Sequence, residues 1–425
     1  MIDMKIVREN PDAIRKMLHS RNVDYPLDRL LLVDSERRRL VTENQNLKYK
    51  RNAVASEVSS LKKNKSDASA KILEMKKVSS MIEGSDKKIR AIDGDLRELL
   101  LQLPNIPHES VPDGIDENQN KVISVWGKIK SIKKPLDHMT LAENLDLIDI
   151  ERASKVAGSR FYYLKGDLVR LNFALIGYAI DFMISRGVTL LQPPYALRRE
   201  ALEGSIIFSD FEEVVFKVEG EDLYLIATSE HLIAAMHMGE ILPVKKFPIR
   251  YAGVSPCFRK EAGSHGKDTK GIFRVHQFEK VEQFSFTKPE ESWNELERIV
   301  SNTQEMFRNL QLPHRLVLLC SGDLGKVSAK TYDIEVWLPG QGKYREAASC
   351  SNCTDYQSRA LGIKYREKPH EESKFVHTLN GTLSATERTL IAIMENYQLD
   401  DGRIEVPSVL QPYAGNLKII APRKN

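Results

Sequence analysis

The chain has 425 residues, enough for two or three domains, and its 41% hydrophobic and 29% charged residues are typical of a soluble globular protein. It has no apolar run long enough to span a membrane and no apolar signal-peptide core at its start, so we expect a cytoplasmic protein without a membrane segment. The net charge of +4 does not indicate that the whole chain binds a polyanion, but residues 30–103 hold sixteen Lys and Arg against eleven Asp and Glu.

Two heptad patterns dominate the first hundred residues. Apolar residues recur at 33, 40, 47, 54 and 61, beside a partly polar series at 30, 37, 44, 51 and 58. A second pair of series runs from Met75 and Val78 to Leu103 and Leu99, and the polar run KKNKSDAS separates the two patterns. Such heptads predict two helices packed as a coiled coil. We expect an antiparallel helical hairpin over about residues 27–103, preceded by a short helical region over residues 3–18.

The outer faces of this predicted hairpin are rich in cations, among them Arg37, Arg38, Lys48 and Lys50. Dispersed Lys and Arg fit the regularly spaced phosphates of a nucleic-acid backbone. The alternative interpretation is a solvated coiled coil that serves as a spacer or an oligomerisation device.

Pro, Gly, Asn and Asp are frequent in residues 104–135, which predicts a domain boundary. We therefore expect an N-terminal helical domain over residues 1–110, a linker over 111–135 and a mixed α/β body over 136–425. In that body, an amphipathic helix over 172–186 leads to a strand that stops at Pro193-Pro194. A second strand ends at Thr228 before a helix, and capping of that helix is one interpretation of the threonine.

The stretch from Arg250 to Phe286 is predicted to be a long antiparallel hairpin. Because side chains alternate along a strand, we expect Arg259 and Glu261 to lie side by side, and Arg274, Phe278 and Glu282 to share a face. Two cations, two carboxylates and a ring on one face favour a binding site for an anionic ligand that carries a ring. The intervening loop over 262–271 contains three glycines, and we expect it to be mobile when the site is empty.

Four cysteines in a chain of this length, without an export signal, predict reduced thiols. Cys350 and Cys353 form a CxxC pair, for which half of a zinc site, a redox pair and two buried structural residues are the three interpretations. No second CxxC or CxxH pair completes a zinc site, which favours buried structural residues.

Several motifs in the same order resemble those of one family, the class II seryl-tRNA synthetases. The resemblance covers nearly the whole chain and rests on DMKIVRENPDAIRKML, the basic helical hairpin, the element that ends at Pro193-Pro194, TSE at 228–230, FRKEAGSHGKDTKGIFRVHQFEKVEQF, YREAASCSNC at 344–353 and LNGTLSATERTLIAIMENYQ. It implies an α+β fold, in which a helical coiled-coil hairpin precedes an antiparallel sheet of six to seven strands flanked by helices, with the site on the sheet face.

The resemblance also implies an activity. The family uses ATP to convert L-serine to seryl-adenylate and then transfers the seryl group to the 3′ end of tRNA(Ser), as a homodimer with Mg²⁺. Use of selenocysteine tRNA is left open by the sequence. The alternative is a ligase on the same fold that activates another amino acid or loads a carrier protein; a catalytically dead coiled-coil protein would be expected to have lost Arg259, Glu261 or Arg388.

The family motifs imply roles for individual residues. Arg259 and Arg388 are implied to be catalytic, at the α-phosphate and at the γ-phosphate end of ATP, because arginine binds phosphate through two N–H groups and stays charged. The implied ATP-binding residues are Arg259, Glu261, Arg274, Val275, Phe278, Glu346, Ser349 and Arg388, with Phe278 under adenine and Glu261 accepting from its amino group. The implied serine-binding residues are Thr228, Glu230, Arg259, Glu282, Asn380 and Thr382.

Glu346 and Ser349 are the implied Mg²⁺ contacts, since Mg²⁺ prefers carboxylates, phosphate oxygens and water. The chain departs from the family here, because Ala348-Ser349 replaces the usual pair of adjacent serines. Arg37, Arg38, Lys48 and Lys50 are the implied tRNA-binding residues of the hairpin.

Overall fold

The computed structural model describes residues 1–261 and 271–422 of the chain. The helices in these ranges are α1 (Met4–Glu9), α2 (Pro11–Ser20), α3 (Leu27–Lys63), α4 (Ser69–Gln102), α5 (His138–Leu145), α6 (Ile150–Ala157), α7 (Asp167–Ile184), α8 (Arg199–Ser205), α9 (Phe208–Phe211), α10 (Ser229–Ala235), α11 (Ser292–Asn309), α12 (Tyr356–Leu361) and α13 (Thr386–Asn396). None of these helices is both long enough and apolar enough to cross a membrane.

The strands in the same ranges are β1 (Lys121–Trp126), β2 (Ile148–Asp149), β3 (Tyr163–Leu164), β4 (Thr189–Leu191), β5 (Ala196–Leu197), β6 (Tyr224–Leu225), β7 (Ile241–Pro243), β8 (Ile249–Phe258), β9 (Gln277–Thr287), β10 (His314–Leu318), β11 (Lys330–Leu338), β12 (Lys343–Thr354), β13 (Lys364–Arg366), β14 (Lys374–Phe375), β15 (His377–Ala385), β16 (Ile404–Glu405) and β17 (Ile419–Ile420). The chain folds into two compact units. One unit consists of Ile2–His19 and Val23–Leu103. The other consists of the chain from Pro104 onward, together with Met1 and Ser20–Asn22.

The first unit is built on the predicted helical hairpin of α3 and α4. The predicted heptad positions form its seam, where Leu40, Val54, Val78 and Leu96 are all buried. The seam also has a polar position, because the amide of the buried Asn44 donates a hydrogen bond of 2.5 Å to Asp86 on the facing helix. The hairpin prediction is therefore confirmed.

The second unit is built on an eight-stranded sheet with the order β1-β10-β11-β12-β15-β9-β8-β4. Neighbouring strands are antiparallel except for β4 and β8, which are parallel. The α+β class is confirmed, but the sheet has one strand more than the six to seven expected. Edge strand β1 lies inside the stretch 111–135 that we predicted to be a linker.

Helix α11 packs on one face of the sheet. The strand residues that contact it alternate along β9 and β15 with residues that face the opposite side. On β9, the amide of Gln283 donates to the Ile299 carbonyl and the Thr303 hydroxyl of α11. On β15, Gly381 lies so close to α11 that a Cβ there would come within 2.3 Å of Ile299 Cγ2. This close packing leaves the opposite face of β9, β12 and β15 available for a site.

Candidate active site

A cavity of about 460 Å³ lies on that opposite face of the sheet. Strand alternation supplies its floor, since positions two apart on three neighbouring strands line it: Phe278, Lys280 and Glu282 on β9, Ser349, Ser351 and Cys353 on β12, and Asn380 and Thr382 on β15. Arg259, Glu261, Arg274, Val275 and Arg388 complete most of the predicted set. Residues that are far apart in the sequence and that the motifs assign to one site therefore line one cavity.

Arg259 and Phe278 mark one end of the cavity. The guanidinium carbon of Arg259 lies 5.2 Å from the centroid of the Phe278 ring, and its Nε donates a hydrogen bond of 3.1 Å to the Ala227 carbonyl. The backbone of Arg259 is held as well, because its carbonyl accepts from His276 Nδ1 at 2.8 Å. A cation beside an aromatic ring is suited to a ligand that joins a phosphate to an aromatic base.

Arg259, Glu261 and Arg274 lie outside strands β8 and β9, so the prediction that strand alternation pairs Arg259 with Glu261 and places Arg274 on the face of Phe278 and Glu282 was wrong. Strand β8 ends at Phe258, and Glu261 has a φ of 51°, in the left-handed region. Glu261 nevertheless lines the cavity, where Arg274 Nη1 lies 2.9 Å from its Oε2. The adjoining loop residues 262–270, which we predicted to be mobile, lie outside the residues that the structure describes.

Arg388 occupies the first turn of α13 at the rim of the cavity, 3.2 Å from Oε1 of Glu346. Its guanidinium carbon lies 4.9 Å from the ring centroid of Phe273, and that of Arg345 lies 3.9 Å from the same ring. Sequence reasoning missed Phe273, which looks like an ordinary apolar residue. Two cations gathered around one ring give this side of the cavity an affinity for polyanions.

The other end of the cavity holds two carboxylates and one ammonium. Glu230 accepts hydrogen bonds from the amides of Gln357 (3.2 Å) and Asn380 (3.1 Å). On Glu282, the same oxygen Oε2 accepts from Thr382 Oγ1 at 3.1 Å and lies 2.7 Å from Lys280 Nζ. Two carboxylates against one ammonium favour a substrate ammonium here, and the Arg259 guanidinium also acts on Glu230 through its positive charge.

The electrostatics of this end favour the binding of a cation. Burial, and next the negative charge of Glu282, raise the pKa of Glu230 to about 7. Lys280 opposes that shift through its positive charge. The sequence prediction missed Lys280, although it lies two residues from both Phe278 and Glu282 and so shares their face of β9.

Thr228 is placed differently from the other predicted serine-binding residues. Its hydroxyl accepts the Glu230 N–H at 3.2 Å and so caps the N-terminus of α10. It is buried and is not among the residues that line the cavity in the described part of the chain. Thr228 therefore fixes the backbone that carries Glu230, and its direct contact with serine stays a prediction.

Oxygen donors for a cation lie on strands β11 and β12. Glu346 and Ser349 line the main cavity and a neighbouring one of about 340 Å³, to which Asp333 also contributes. Burial and the charge of Glu346 raise the pKa of Asp333 well above its ordinary value, and its Oδ1 is buried without a hydrogen-bond partner in the described residues. Carboxylate and hydroxyl oxygens beside an unsatisfied carboxylate oxygen are a donor set that fits Mg²⁺.

The cysteines form no metal or redox centre in the ranges that the structure describes. All four are free and buried, and no group of three or more His, Cys, Asp and Glu side chains there is placed to hold a metal. Burial raises the pKa of the Cys350 and Cys353 thiols, which keeps them protonated and unreactive. The buried structural interpretation of the CxxC pair agrees with this arrangement.

The four cations predicted to bind tRNA lie on α3, and each is in an ion pair. Arg37 pairs with Asp93 at 2.5 Å, Lys48 with Asp86 at 3.1 Å and Lys50 with Glu74 at 3.3 Å, all on the facing helix α4. Arg38 pairs with Asp34 on its own helix at 3.0 Å. These cations are partly exposed, so they remain accessible to a second anion.

Two family models match the chain. The seryl-tRNA synthetase N-terminal domain matches residues 1–107, and the tRNA synthetase class II core domain (G, H, P, S and T) matches residues 214–397. Among named proteins, the serine–tRNA ligase of Nitrosopumilus maritimus is 52% identical over 99% of this chain and 100% of its own length. That of Pyrococcus horikoshii is 45% identical, over 100% of this chain and 98% of its own.

Solved structures are similar over the same extent. The crystal structure of seryl-tRNA synthetase from Pyrococcus horikoshii complexed with ATP matches with a TM-score of 0.95 and 45% identity, over 100% of both chains. The cytoplasmic serine–tRNA ligase of Naegleria fowleri in complex with AMP matches with a TM-score of 0.88 and 37% identity, over 100% of this chain and 99% of that one.

Proposed function

The chain belongs to the seryl-tRNA synthetase family, and we propose that its cavity on the sheet carries out both steps of an ATP-dependent serine–tRNA ligase. In the first step, the serine carboxylate attacks the α-phosphorus of ATP and pyrophosphate leaves. In the second, a hydroxyl of the 3′-terminal ribose of tRNA(Ser) attacks the seryl carbonyl carbon of the adenylate, and AMP leaves. The proposal rests on one observation: a single cavity has a cation and a ring at one end, and two carboxylates and a hydroxyl at the other. The first end is formed by Arg259 and Phe278, and the second by Glu230, Glu282 and Thr382.

We assign the cation-and-ring end to ATP. Phe278 lies under adenine, Glu261 accepts from the adenine amino group, and Val275 and Arg274 complete the nucleotide side of the cavity. Arg274 pairs with Glu261, which holds that carboxylate in place for the base. Arg388 binds the γ-phosphate end, where Phe273 and Arg345 support it.

Arg259 is the residue that we place at the reacting atoms. The nucleophile and ATP are both anions, so catalysis depends on positioning them and on neutralising the charge that develops on the α-phosphate. The guanidinium of Arg259 lies beside the Phe278 ring and is held by the Ala227 carbonyl. It can therefore contact the α-phosphate and the serine carboxylate together without being reoriented.

We further propose that Glu346 and Ser349 hold Mg²⁺ and that Asp333 stands behind them. When bound, this ion neutralises phosphate charge and orients the pyrophosphate leaving group. Glu346 also pairs with Arg388, so the same carboxylate restrains the arginine that we assign to the γ-phosphate. Because Ala348 replaces one of the usual two adjacent serines, Ser349 is the remaining hydroxyl of that pair, and it lines the cavity.

The two-carboxylate end is assigned to serine. Glu230 and Glu282 provide negative charge for its ammonium, and Thr382 and Asn380 provide polar partners near its side chain. A site that hydrogen-bonds a substrate hydroxyl rejects alanine, because alanine would leave those buried groups unpaired. Threonine is excluded if the additional methyl group has no room beside Thr382.

The helical hairpin is assigned to tRNA recognition, with Arg37, Arg38, Lys48 and Lys50 on the phosphate backbone. Backbone contacts position a protein without reading the base sequence. The hairpin therefore suits recognition of tRNA shape, including the long variable arm that this family uses. Selenocysteine tRNA is a second acceptor to be tested.

We also propose that the protein is a cytoplasmic homodimer, as the family resemblance implies. Apolar side chains at the element that ends in Pro193-Pro194 support an interface, since Phe173, Ile184 and Tyr195 are 64%, 53% and 43% exposed. Exposed large apolar side chains are more frequent at association sites than elsewhere on a protein surface.

Charging of purified tRNA tests the proposed function. With ATP, Mg²⁺ and labelled serine, the full-length chain should aminoacylate tRNA(Ser), and removal of the variable arm from that tRNA should sharply reduce charging. A tRNA for another amino acid is the matched control and should stay uncharged. Formation of seryl-adenylate without charging of any tRNA, together with loading of a carrier-protein thiol, would establish the alternative ligase instead.

A further inference from the structure

Resting on the proposed function, we propose that Glu387 is a positioning residue for ATP. Its carboxylate ties the strand end that carries Phe278 to the helix end that carries Arg388. Neither the sequence motifs nor the expected ATP contacts assign a role to this glutamate. Glu387 thereby sets the distance between the Phe278 ring, which is assigned to adenine, and the Arg388 guanidinium, which is assigned to the phosphates.

The Glu387 carboxylate is a hub of four hydrogen bonds. The backbone N–H of Glu279 lies 3.2 Å from Oε1 and 3.1 Å from Oε2, and Thr386 Oγ1 donates to Oε2 at 3.1 Å. The hydroxyl of Tyr162 donates to Oε1. Glu387 is only 2% exposed, yet it lines the cavity. It is therefore part of the cavity wall and is held from three directions.

The partners of Glu387 are adjacent to the residues assigned to ATP. Glu279 follows Phe278 at the start of β9, and Glu387 itself precedes Arg388 at the start of α13. A hydrogen bond between the Glu279 backbone and the Glu387 side chain thus joins β9 to α13. It does so next to Phe278 and Arg388, whose separation must match that of adenine and the phosphates of ATP. Movement of either element alone would break it.

Tyr162 connects the hub to the segment that also supports Arg259. In this segment, the Arg160 carbonyl accepts the His276 N–H at 3.0 Å, and the Phe161 ring lies 5.3 Å from the His276 ring. His276 Nδ1 in turn donates to the Arg259 carbonyl. Phe278, Arg388 and Arg259 are therefore all linked, through neighbouring residues, to a single buried carboxylate.

The contacts of Glu387 favour positioning over charge neutralisation. Its partners are neutral donors, and the neighbouring Arg388 pairs with Glu346 instead. Burial raises the pKa of Glu387 to about 7, as expected for a carboxyl group without a cationic partner. What the carboxyl group supplies is acceptor geometry, which an isosteric amide reproduces only in part.

Replacement of Glu387 should weaken ATP binding selectively. In Glu387→Ala we expect the Kd for ATP, measured by calorimetry on the full chain, to rise about tenfold or more, while the KM for serine stays within about twofold. Glu387→Gln retains one acceptor oxygen, so its Kd should rise by about threefold, and Tyr162→Phe, which removes one donor, should behave similarly.

Glu295→Gln is a matched control. Glu295 is a buried glutamate of α11, bound by Arg250 and Arg298 and outside the residues lining the cavity. Its replacement should lower the Tm and leave the Kd for ATP unchanged. An unchanged Kd in Glu387→Ala, or equal changes in ATP and serine binding, would overturn the proposal.

If Glu387→Ala fails to fold, Tyr162→Phe decides, and a wild-type Kd in that variant would overturn the proposal. The Kd for ATP is measured by calorimetry with ATP alone, so this part of the test is independent of the proposed function. A wild-type chain that binds ATP but shows no serine-dependent reaction would contradict the ligase assignment and leave the role of Glu387 intact.

Discussion

Glu282 lies on the floor of the cavity, and its hydrogen bond with Thr382 and its ion pair with Lys280 both involve the same oxygen, Oε2. Oε2 receives the Thr382 hydroxyl and the Lys280 ammonium, and both contacts are buried. The arrangement holds the carboxylate in one orientation before serine binds, so little conformational entropy is lost on binding. In the absence of serine, Lys280 also compensates a charge that would otherwise be buried alone.

Replacement of Glu282 should therefore affect activation more than folding. In Glu282→Ala, we expect serine-dependent pyrophosphate exchange to fall at least about 100-fold, because the substrate loses a charged partner and Lys280 is left buried without its own. ATP binding, measured without serine, should remain close to the wild-type value. Near-normal exchange in this variant would show that Glu282 does not contact serine.

Single residues of the site were predictable where a local pattern or a family motif marked them. Phe278 and Glu282 follow from alternation along one strand, and Arg388 follows from its motif. Phe273 and Glu387 carry no such mark, because their roles depend on contacts with residues 72 and 225 positions away, Arg345 and Tyr162. Reasoning from local spacing cannot detect contacts of that range.

At the scale of elements, the helical hairpin combines stability with an available charge pattern. Lys48 on α3 and Asp86 on α4 form an ion pair across the hairpin, and both side chains are about half exposed. Exposed pairs of this kind contribute about 0–1 kcal/mol to stability. The lysine therefore remains available to a tRNA phosphate at little cost to the hairpin.

Two variants that break the same ion pair separate a structural role from tRNA binding. Lys48→Gln should raise the KM for tRNA by about threefold. It should also reduce the slope of log KM against log salt concentration by about one, as expected for the loss of one phosphate contact. Asp86→Asn removes the charge of the pair but keeps the lysine and an amide oxygen that can accept from Asn44, so its charging should match or exceed that of the wild type. Serine-dependent exchange should be unchanged in both, and equal loss of charging in both would assign the pair to structure alone.

The sequence predicted elements well where a pattern repeats and poorly at their ends. Heptad positions on both α3 and α4 were enough to identify the hairpin, because burial of a seam imposes the same demand every seven residues. Strand β1 was missed because its side chains are mostly exposed and its sequence lies in a stretch rich in turn formers. The end of β8 at Phe258 was missed because charged residues follow it without a glycine or a proline.

At the scale of the whole molecule, the two units correspond to two tasks. The unit that begins at Pro104 contains the cavity and all the residues that we assign to ATP and serine. The unit with α3 and α4 contains the cations that we assign to tRNA. Composition indicated a basic segment at residues 30–103, and the family resemblance assigned that segment to tRNA.

The fold class was predictable for the whole chain because family motifs are spread along its entire length. The joining of ATP and serine sites was predictable only from the family resemblance, since it requires β9, β12, β15 and α13 to meet although they span more than one hundred residues. Sheet order is a property of long-range pairing, which no local pattern encodes.

Amino-acid-dependent pyrophosphate exchange across all twenty amino acids tests the central claim most directly. The full-length chain, with ATP and Mg²⁺, should exchange rapidly with serine, far more slowly with threonine, and at background with alanine and the other amino acids. Strong exchange with a different amino acid, or none with serine, would contradict the assignment of Glu230, Glu282 and Thr382 as the pocket for serine.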